Sequence, residues 1–379
     1  MTVPFVDLAA QQAEIHDEIV PAVEEILRTA AFVGGPAVAR FERDYAAFVG
    51  VDHCVGVGNG TDAVELALRG VGVGPGDEVI LPANTFIATA EAVSRIGAVP
   101  VLADVDPASL LLDPDDAARA VTDRTAAIVP VHLYGQTAPM EEITAVAAAH
   151  GLAVVEDAAQ SQGALRSGRA AGSFGHAAAT SFYPGKNLGA AGDAGAVLTA
   201  DPAVAQRVRV LAAHGSARRY EHEVIGLNSR LDAVQAVVLS AKLARLEKWN
   251  RARQDAAERY AALLGDADGL ELPTSLPGND DVWHLHVVRT DRRDELAAAL
   301  AAAGIGTGIH YPTPIHLTPA YRGLGLGPGS YPVAERAARR ILSLPMFPHL
   351  TAEQQDRVAE VVRRVCAGTA GARRAPAVR

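Results

Sequence analysis

The chain reads as an α/β protein. A large domain with a mainly parallel sheet is followed by a smaller C-terminal α+β domain. Three observations predict this. Short apolar runs alternate with helical stretches through the first half, a rhythm that gives parallel strands covered by helices on both faces. After Thr199 the rhythm stops and helical spacing takes over. The 379 residues exceed one typical domain. The boundary is expected near Trp249, inside the helical run Arg230–Leu264, giving domains 1–248 and 249–379.

Gln11–Thr29 carries Ile15, Ile19, Val23, Ile26 and Leu27 at helical spacing, with a kink expected at Pro21. Pro36–Val49 is a second helix, with Val38, Phe41, Tyr45 and Phe48 inward. Strands are expected at His53–Val57, Glu78–Leu81, Val99–Ala103, Ala126–Val131 and Leu152–Glu156. Helices are expected between them at Ala63–Arg69, Thr85–Ile96 and Pro139–His150. Ala177–Phe182 and Ala194–Thr199 are two more apolar runs. Beyond them come helix Asp201–Ala213, strand Trp283–Arg289, and helices Asp294–Ala303, Val333–Leu342 and Ala352–Val365. Gly304–Ser330 is a long loop rich in Gly, Pro and His, the composition of a functional segment. The tail from Gly368 is expected to be disordered.

Composition excludes several classes. The net charge is formally −10, and no basic run is longer than a pair such as Arg373-Arg374 at the tail, so nucleic acid is not an expected partner. No apolar run approaches membrane-spanning length. The cysteines, Cys54 and Cys366, are isolated, which fits a reducing compartment and no disulfide framework. The start of the chain lacks the basic and apolar regions of a signal peptide. A cytoplasmic protein is expected.

Residues 181–195 place one lysine, Lys186, among small residues between two strand-like runs. Gly and Pro punctuate the stretch into a tight loop. A solvated lysine does not need that setting, although most lone lysines are solvated. A lysine that must become a neutral amine does, because burial disfavours its charged form. Such an amine forms a Schiff base with a carbonyl compound such as pyridoxal phosphate (PLP).

Two other stretches offer matching chemistry. Gly56-Val57-Gly58-Asn59-Gly60-Thr61-Asp62 follows a strand and opens a helix, with Thr61 a candidate N-cap. A helix N-terminus there would hold a phosphate, or simply be a capped turn. Gly56-x-Gly58 also resembles the start of a dinucleotide fingerprint, but Thr61 stands at the third glycine position. Val154-Val155-Glu156-Asp157-Ala158-Ala159-Gln160 puts acids at the C-terminal end of an apolar strand, where ligands bind open α/β sheets. An Asp there either pairs with a pyridinium nitrogen or caps a turn. Phe86, after strand 78–81, either stacks on a planar cofactor or joins the core. His284-x-His286 on a strand would share one face, but no third ligand has metal-site spacing, so no metal is expected.

The run Ser181-Phe182-Tyr183-Pro184-Gly185-Lys186-Asn187-Leu188-Gly189 resembles the lysine loop of the DegT/DnrJ/EryC1/StrS family of PLP-dependent sugar aminotransferases. The resemblance extends from Val6-Asp7-Leu8 to Leu342-Ser343-Leu344-Pro345. It implies a fold-type-I aminotransferase with a seven-stranded-type sheet and PLP as cofactor. Lys186 would be the Schiff-base lysine and proton carrier. Asp157 would meet the pyridine nitrogen, Gln160 the ring oxygen, and Phe86 the ring face. Thr61 and its neighbours Gly60 and Asp62 would hold the phosphate, Ser181 would be a further cofactor contact, and Asn228 would reach the cofactor phosphate of a second subunit. Tyr183, Arg230, His310, Tyr311 and His316 would line the sugar side.

The resemblance further implies a homodimer with shared sites, L-glutamate as amino donor and a dTDP-linked keto-6-deoxyhexose as acceptor. Arg230, with Arg218 or Arg219, would balance the diphosphate. Val131-His132-Leu133-Tyr134-Gly135-Gln136 with Tyr220-x-His222 looks closer to 3-aminotransferases of macrolide-type deoxysugar pathways, with 4-amination as the alternative. Rival readings are a dehydratase of the family, which carries His at the position of Lys186, an NAD-dependent oxidoreductase and a non-catalytic regulator.

Overall fold

The computed structural model describes residues 2–218 and 220–372. Arg219 and Arg373-Arg374 lie outside the described residues. The last helix runs Ala352–Ala372, so the segment from Gly368 continues a helix as far as Ala372.

One seven-stranded sheet carries the large domain. Its spatial order is His53–Val57, Gly195–Thr199, Ala177–Ser181, Ala153–Asp157, Thr125–Ile128, Glu78–Pro82 and Val99–Ala103. Gly195–Thr199 is antiparallel to both its neighbours, and the other neighbouring pairs are parallel. All residues of Glu78–Pro82, Ala177–Ser181 and Gly195–Thr199 are buried. Strands sealed on both faces need continuous apolar or small side chains, which explains the unalternating runs of Ala, Val and Ile. Helix Gly60–Gly70 packs against Ala177–Ser181 and joins the main core through Leu66, Ala67 and Leu68.

Several boundaries differ from expectation. The first helical stretch divides into Leu8–Ala13 and His16–Thr29, breaking at Glu14-Ile15 while carrying on through Pro21. The break has a packing cause. Ile15 is fully buried, and the Glu14 carboxylate accepts hydrogen bonds from Trp249 Nε1 at 3.2 Å and His349 Nε2 at 2.5 Å. Phe86 stands before helix Ile87–Arg95 with extended backbone. Strand His286–Arg289 starts after His284 and pairs antiparallel with Ile341–Leu344. That second strand was hidden in the sequence, because its apolar residues continue the pattern of helix Pro332–Arg340.

Helix Ala233–Leu264 is unbroken, so the expected boundary at 248/249 falls within one element. Packing changes along it. Ala233, Val237 and Ala241 pack with Ile15, Ile19 and Ile26, whereas Ala256, Tyr260 and Leu264 pack with Val288, Leu300, Leu344 and Val358. Val3 belongs to this second core and bridges Ile305, so the N-terminal residues pack with C-terminal elements. No helix among the described residues is long and apolar enough to cross a membrane.

Candidate active site

The parallel strands end at one edge, and the loops leaving that edge carry the candidate residues. The lysine loop leaves Ala177–Ser181. Phe182 anchors it, fully buried and edge-on to Phe41 and Tyr45 at 5.4 and 5.2 Å between ring centroids. Burial of that ring contributes about 1.5–3 kcal/mol. Phe182 N–H donates to Ala194 O and Ala190 N–H to Phe182 O, each at 2.8 Å, so both ends of the loop are pinned. The loop doubles back so closely that a Cβ at Gly189 would lie 2.3 Å from Pro184 O. Lys186 is half-buried at its centre. Desolvation brings its amine down to about 8, against the opposing pull of the Asp157 carboxylate. Tyr183 is exposed beside it.

Helix Gly60–Gly70 points its N-terminus at Ser181. A Cβ on Gly60 would lie 2.5 Å from the Ser181 Cβ, so only glycine permits this approach. The cap is Asn59 and not Thr61: Asn59 Oδ1 accepts from Asp62 N–H at 2.8 Å. Thr61 therefore stands inside the first turn. The N–H groups of Gly60 and Thr61 have no acceptor among the described residues, which makes this end an anion cradle. Asp62 is not free to serve it. Its N–H is taken by the cap, and its carboxylate accepts from Arg95 at 3.0 Å and Ser229 Oγ at 2.8 Å. Ser229 Oγ also accepts from Gly58 N–H at 2.9 Å, tying segment 228–230 to the cradle. Asn228 and Arg230 flank that anchor and are exposed.

Asp157 ends strand Ala153–Asp157 and is buried. Thr89 Oγ1 donates to its Oδ2 at 2.8 Å, and Ala159 N–H to its Oδ1 at 3.2 Å. Thr89 escaped sequence reasoning, since nothing in its helix marks a hydroxyl whose partner lies 68 residues further along the chain. Glu156 points to the opposite face, as strand alternation requires. Itself fully buried, it accepts from His132, Gly172, Phe174 and Gly175. Gln160 accepts from Tyr134 N–H at 2.7 Å and donates to Tyr311 Oη at 3.2 Å. Tyr311 in turn meets Phe86, with ring centroids 5.1 Å apart, and Phe86 is 50% exposed. The structure thus gathers Phe86, Gln160 and Tyr311 into one cluster.

The histidines separate. His310 Nδ1 lies 2.8 Å from Ser343 Oγ and its ring stacks on Phe5. Burial, aided by the Lys186 charge, brings its pKa down to about 4. His316 does not join it. It is 2% exposed, pairs with Glu335 Oε1 at 3.0 Å and lies edge-on to Tyr331, so it has no face to offer a sugar. His284 and His286 do not share a face either, because His284 precedes the strand. His284 approaches Asn187 at 3.2 Å, while His286 is sealed between Tyr260 and Trp283. Among the described residues no three metal-ligating side chains converge.

A desolvated lysine, a carboxylate held by a hydroxyl, an exposed aromatic ring and an unsatisfied helix N-terminus, at the carboxyl edge of a mainly parallel sheet, are groups of the chemistry that PLP requires. They define a fold-type-I PLP-dependent enzyme. The profile of the DegT/DnrJ/EryC1/StrS aminotransferase family matches residues 13–363, and the chain belongs to that family. It is 51% identical over 363 residues to the erythromycin biosynthesis sensory transduction protein EryC1 of Saccharopolyspora erythraea, covering 96% of this chain and 99% of that one. It is 49% identical over 361 residues to a dTDP-3-amino-3,4,6-trideoxy-α-D-glucose transaminase of Streptomyces venezuelae, covering 95% of each. The crystal structure of S. venezuelae DesV superposes with a TM-score of 0.94 at 49% identity, covering 96% of this chain and 98% of that one.

Proposed function

We propose that this aminotransferase transfers an amino group from L-glutamate to C3 of a dTDP-linked 3-keto-6-deoxyhexose. The observation that carries the chemistry is the Lys186 amine, desolvated to a pKa of about 8 in the same site as Asp157. Near neutral pH a useful fraction of that amine is free of its proton, so one residue serves as nucleophile and then as proton carrier. PLP, when bound, supplies the carbonyl that the amine engages and the electron sink that makes the proton transfer possible. Asp157 would hold the ring nitrogen protonated, with Thr89 keeping its carboxylate aimed. Gly60, Thr61 and Ser181 would receive the phosphate. Phe86 and Gln160 would fix the ring plane, and Tyr183, Arg230, His310 and Tyr311 would face the sugar.

The dTDP-3-amino transaminase among its relatives supports the acceptor and its C3 position. Exposed Asn228 and Arg230, on a segment anchored by Ser229, support a homodimer in which each subunit completes the other's site. The cytoplasm is the compartment where nucleotide sugars and glutamate meet. Parallel incubations with 3-keto and 4-keto dTDP-6-deoxyhexoses, with glutamate as donor and NMR of the product, test the assignment. Nitrogen on C3 from the 3-keto sugar is expected. Preference for the 4-keto sugar, with nitrogen on C4, would overturn the regiochemistry.

A further inference from the structure

Asn187, next to the lysine, is 1% exposed and fully committed. Its Nδ2 donates to Asn250 Oδ1 and to Val282 O, each at 2.9 Å. Asn250 cannot be turned over, because its own Nδ2 donates to Gln162 O at 2.9 Å. Turning Asn187 over would face its oxygen against two acceptors. Both Asn187 hydrogens are therefore used, and its Oδ1 can only accept. That oxygen lies 3.2 Å from His284 Nδ1, so Nδ1 must carry the imidazole hydrogen. Nε2 is left with a lone pair. It has no partner among the described residues, and His284 is only part-buried, unlike sealed His286.

His284 also stays neutral. Burial holds its pKa well below the usual range, and the Lys186 and Arg253 charges act in the same direction. Those two and His310, with Asp157 acting on Lys186, are the ionisable groups that face this corner of the site. Arg253 is itself fixed by Trp283 O at 3.2 Å and Met346 O at 3.0 Å.

We propose that His284, locked by Asn187 into its Nδ1–H form, is a further binding residue of this site, offering Nε2 as a fixed neutral acceptor to a hydroxyl or amino hydrogen of a substrate. The inference rests on Lys186 being the cofactor lysine. A cationic partner at this corner would repel the substrate's amine when protonated. A neutral acceptor admits both co-substrates.

The test begins with ¹⁵N-histidine NMR of the cofactor-free protein. A pair of ring shifts typical of Nδ1–H with unprotonated Nε2, assigned through loss in His284→Phe, is expected. An Nε2–H form or an imidazolium at pH 7.5 would overturn the lock. In the holoenzyme, His284→Phe should raise one KM about tenfold, the loss of one hydrogen bond, with kcat changed less. A rise for the keto-sugar alone identifies a hydroxyl as the guest, and a rise for glutamate alone identifies its amino group. His284→Gln, which retains an acceptor at the same reach, should recover most of the loss. Both KM values staying within twofold in His284→Phe would refute the proposal. Borohydride reduction and peptide mapping of the same samples keep the two readings apart. An unlabelled Lys186 peptide would overturn the lysine assignment, whereas unchanged KM values on a labelled peptide would overturn only the role of His284.

Discussion

The lysine loop and the loop Gly304–Ser330 both bring polar residues toward the catalytic edge, and they are held in different ways. Residues 182–194 are closed at both ends by backbone hydrogen bonds that continue two neighbouring strands, with Phe182 driven into the core. Gly304–Ser330 is pinned at scattered points: Gly308 to Ser343, Ile315 N–H to Ala83 O, His316 to Glu335. Its side chains face wherever each local contact sends them. Five residues after Tyr311 the chain has turned His316 into a buried hydrogen bond with Glu335. Strand-borne site residues are legible from spacing, and loop-borne ones are not.

The largest expected effect tests the strand-borne half. Lys186→Ala should lose turnover by about 10⁴-fold or more, since nucleophile and proton carrier vanish together. It should not cost stability. A lysine whose folded pKa is depressed binds fewer protons folded than unfolded between about 8 and its ordinary value. Stability therefore rises with pH across that window, and below it the charged, buried amine is unfavourable. Deleting the side chain relieves that penalty, so the melting temperature of the cofactor-free protein at pH 7 should hold or rise. Retained turnover would remove Lys186 from the centre of the site.

Asp157→Ala comes next, at ~4 kcal/mol or about 10³-fold in kcat, the scale of losing a preorganised charge. Near wild-type turnover would reduce Asp157 to a turn residue. Phe182→Ala should cost about 3–5 kcal/mol of stability in a denaturant titration, as for other large-to-small changes in aromatic cores. If the loop instead tolerates that change, its direction is not set by the anchor.

Much of this architecture was readable. The alternating rhythm gave strands that match the sheet to within a few residues, because unalternating apolar runs bounded by turns have few other solutions. Asp157 ends its strand, and Lys186 stands in a loop tied at both ends to strands, so the turns of the chain mark both positions. The misses have physical causes. Thr61 looked like the cap, but the chain turned two residues earlier, where the Asn59 carboxamide could reach Asp62 N–H. Asp62 stands beside the phosphate cradle in the sequence, yet Arg95 and Ser229, far away in the chain, take its carboxylate. Strand Ile341–Leu344 was masked by helical spacing, and only its partner His286–Arg289 makes it a strand. Contacts across the fold decided each of these, and they leave no local trace.

The electrostatic coupling across the strand-borne half offers a finer measurement. Asp157 is the group that raises the Lys186 pKa against desolvation. Asp157→Asn should therefore lower the amine further below about 8 in the cofactor-free protein. Rate of Lys186 modification against pH, read by peptide mass spectrometry, should shift its midpoint down. An upward shift, or none, would show that the two groups do not share a field.

The smallest effects separate Tyr311 from His316 within the loop-borne half. Tyr311→Phe removes the hydroxyl that accepts from Gln160 and leaves the ring against Phe86. One hydrogen bond of ~1 kcal/mol should appear as a several-fold change in cofactor or sugar affinity, with little change in melting temperature. His316→Gln should do the reverse. It disturbs a buried pair with Glu335, whose carboxylate also accepts from Gly329 and Tyr331 N–H, so stability should fall by about 1–3 kcal/mol while the sugar KM stays put. The two variants together test the rule that direction, not proximity in sequence, decides membership of the site. A raised sugar KM in His316→Gln at unchanged stability would mean that this part of the loop turns toward the sugar when the substrate binds. His316 would then return to the site beside His310.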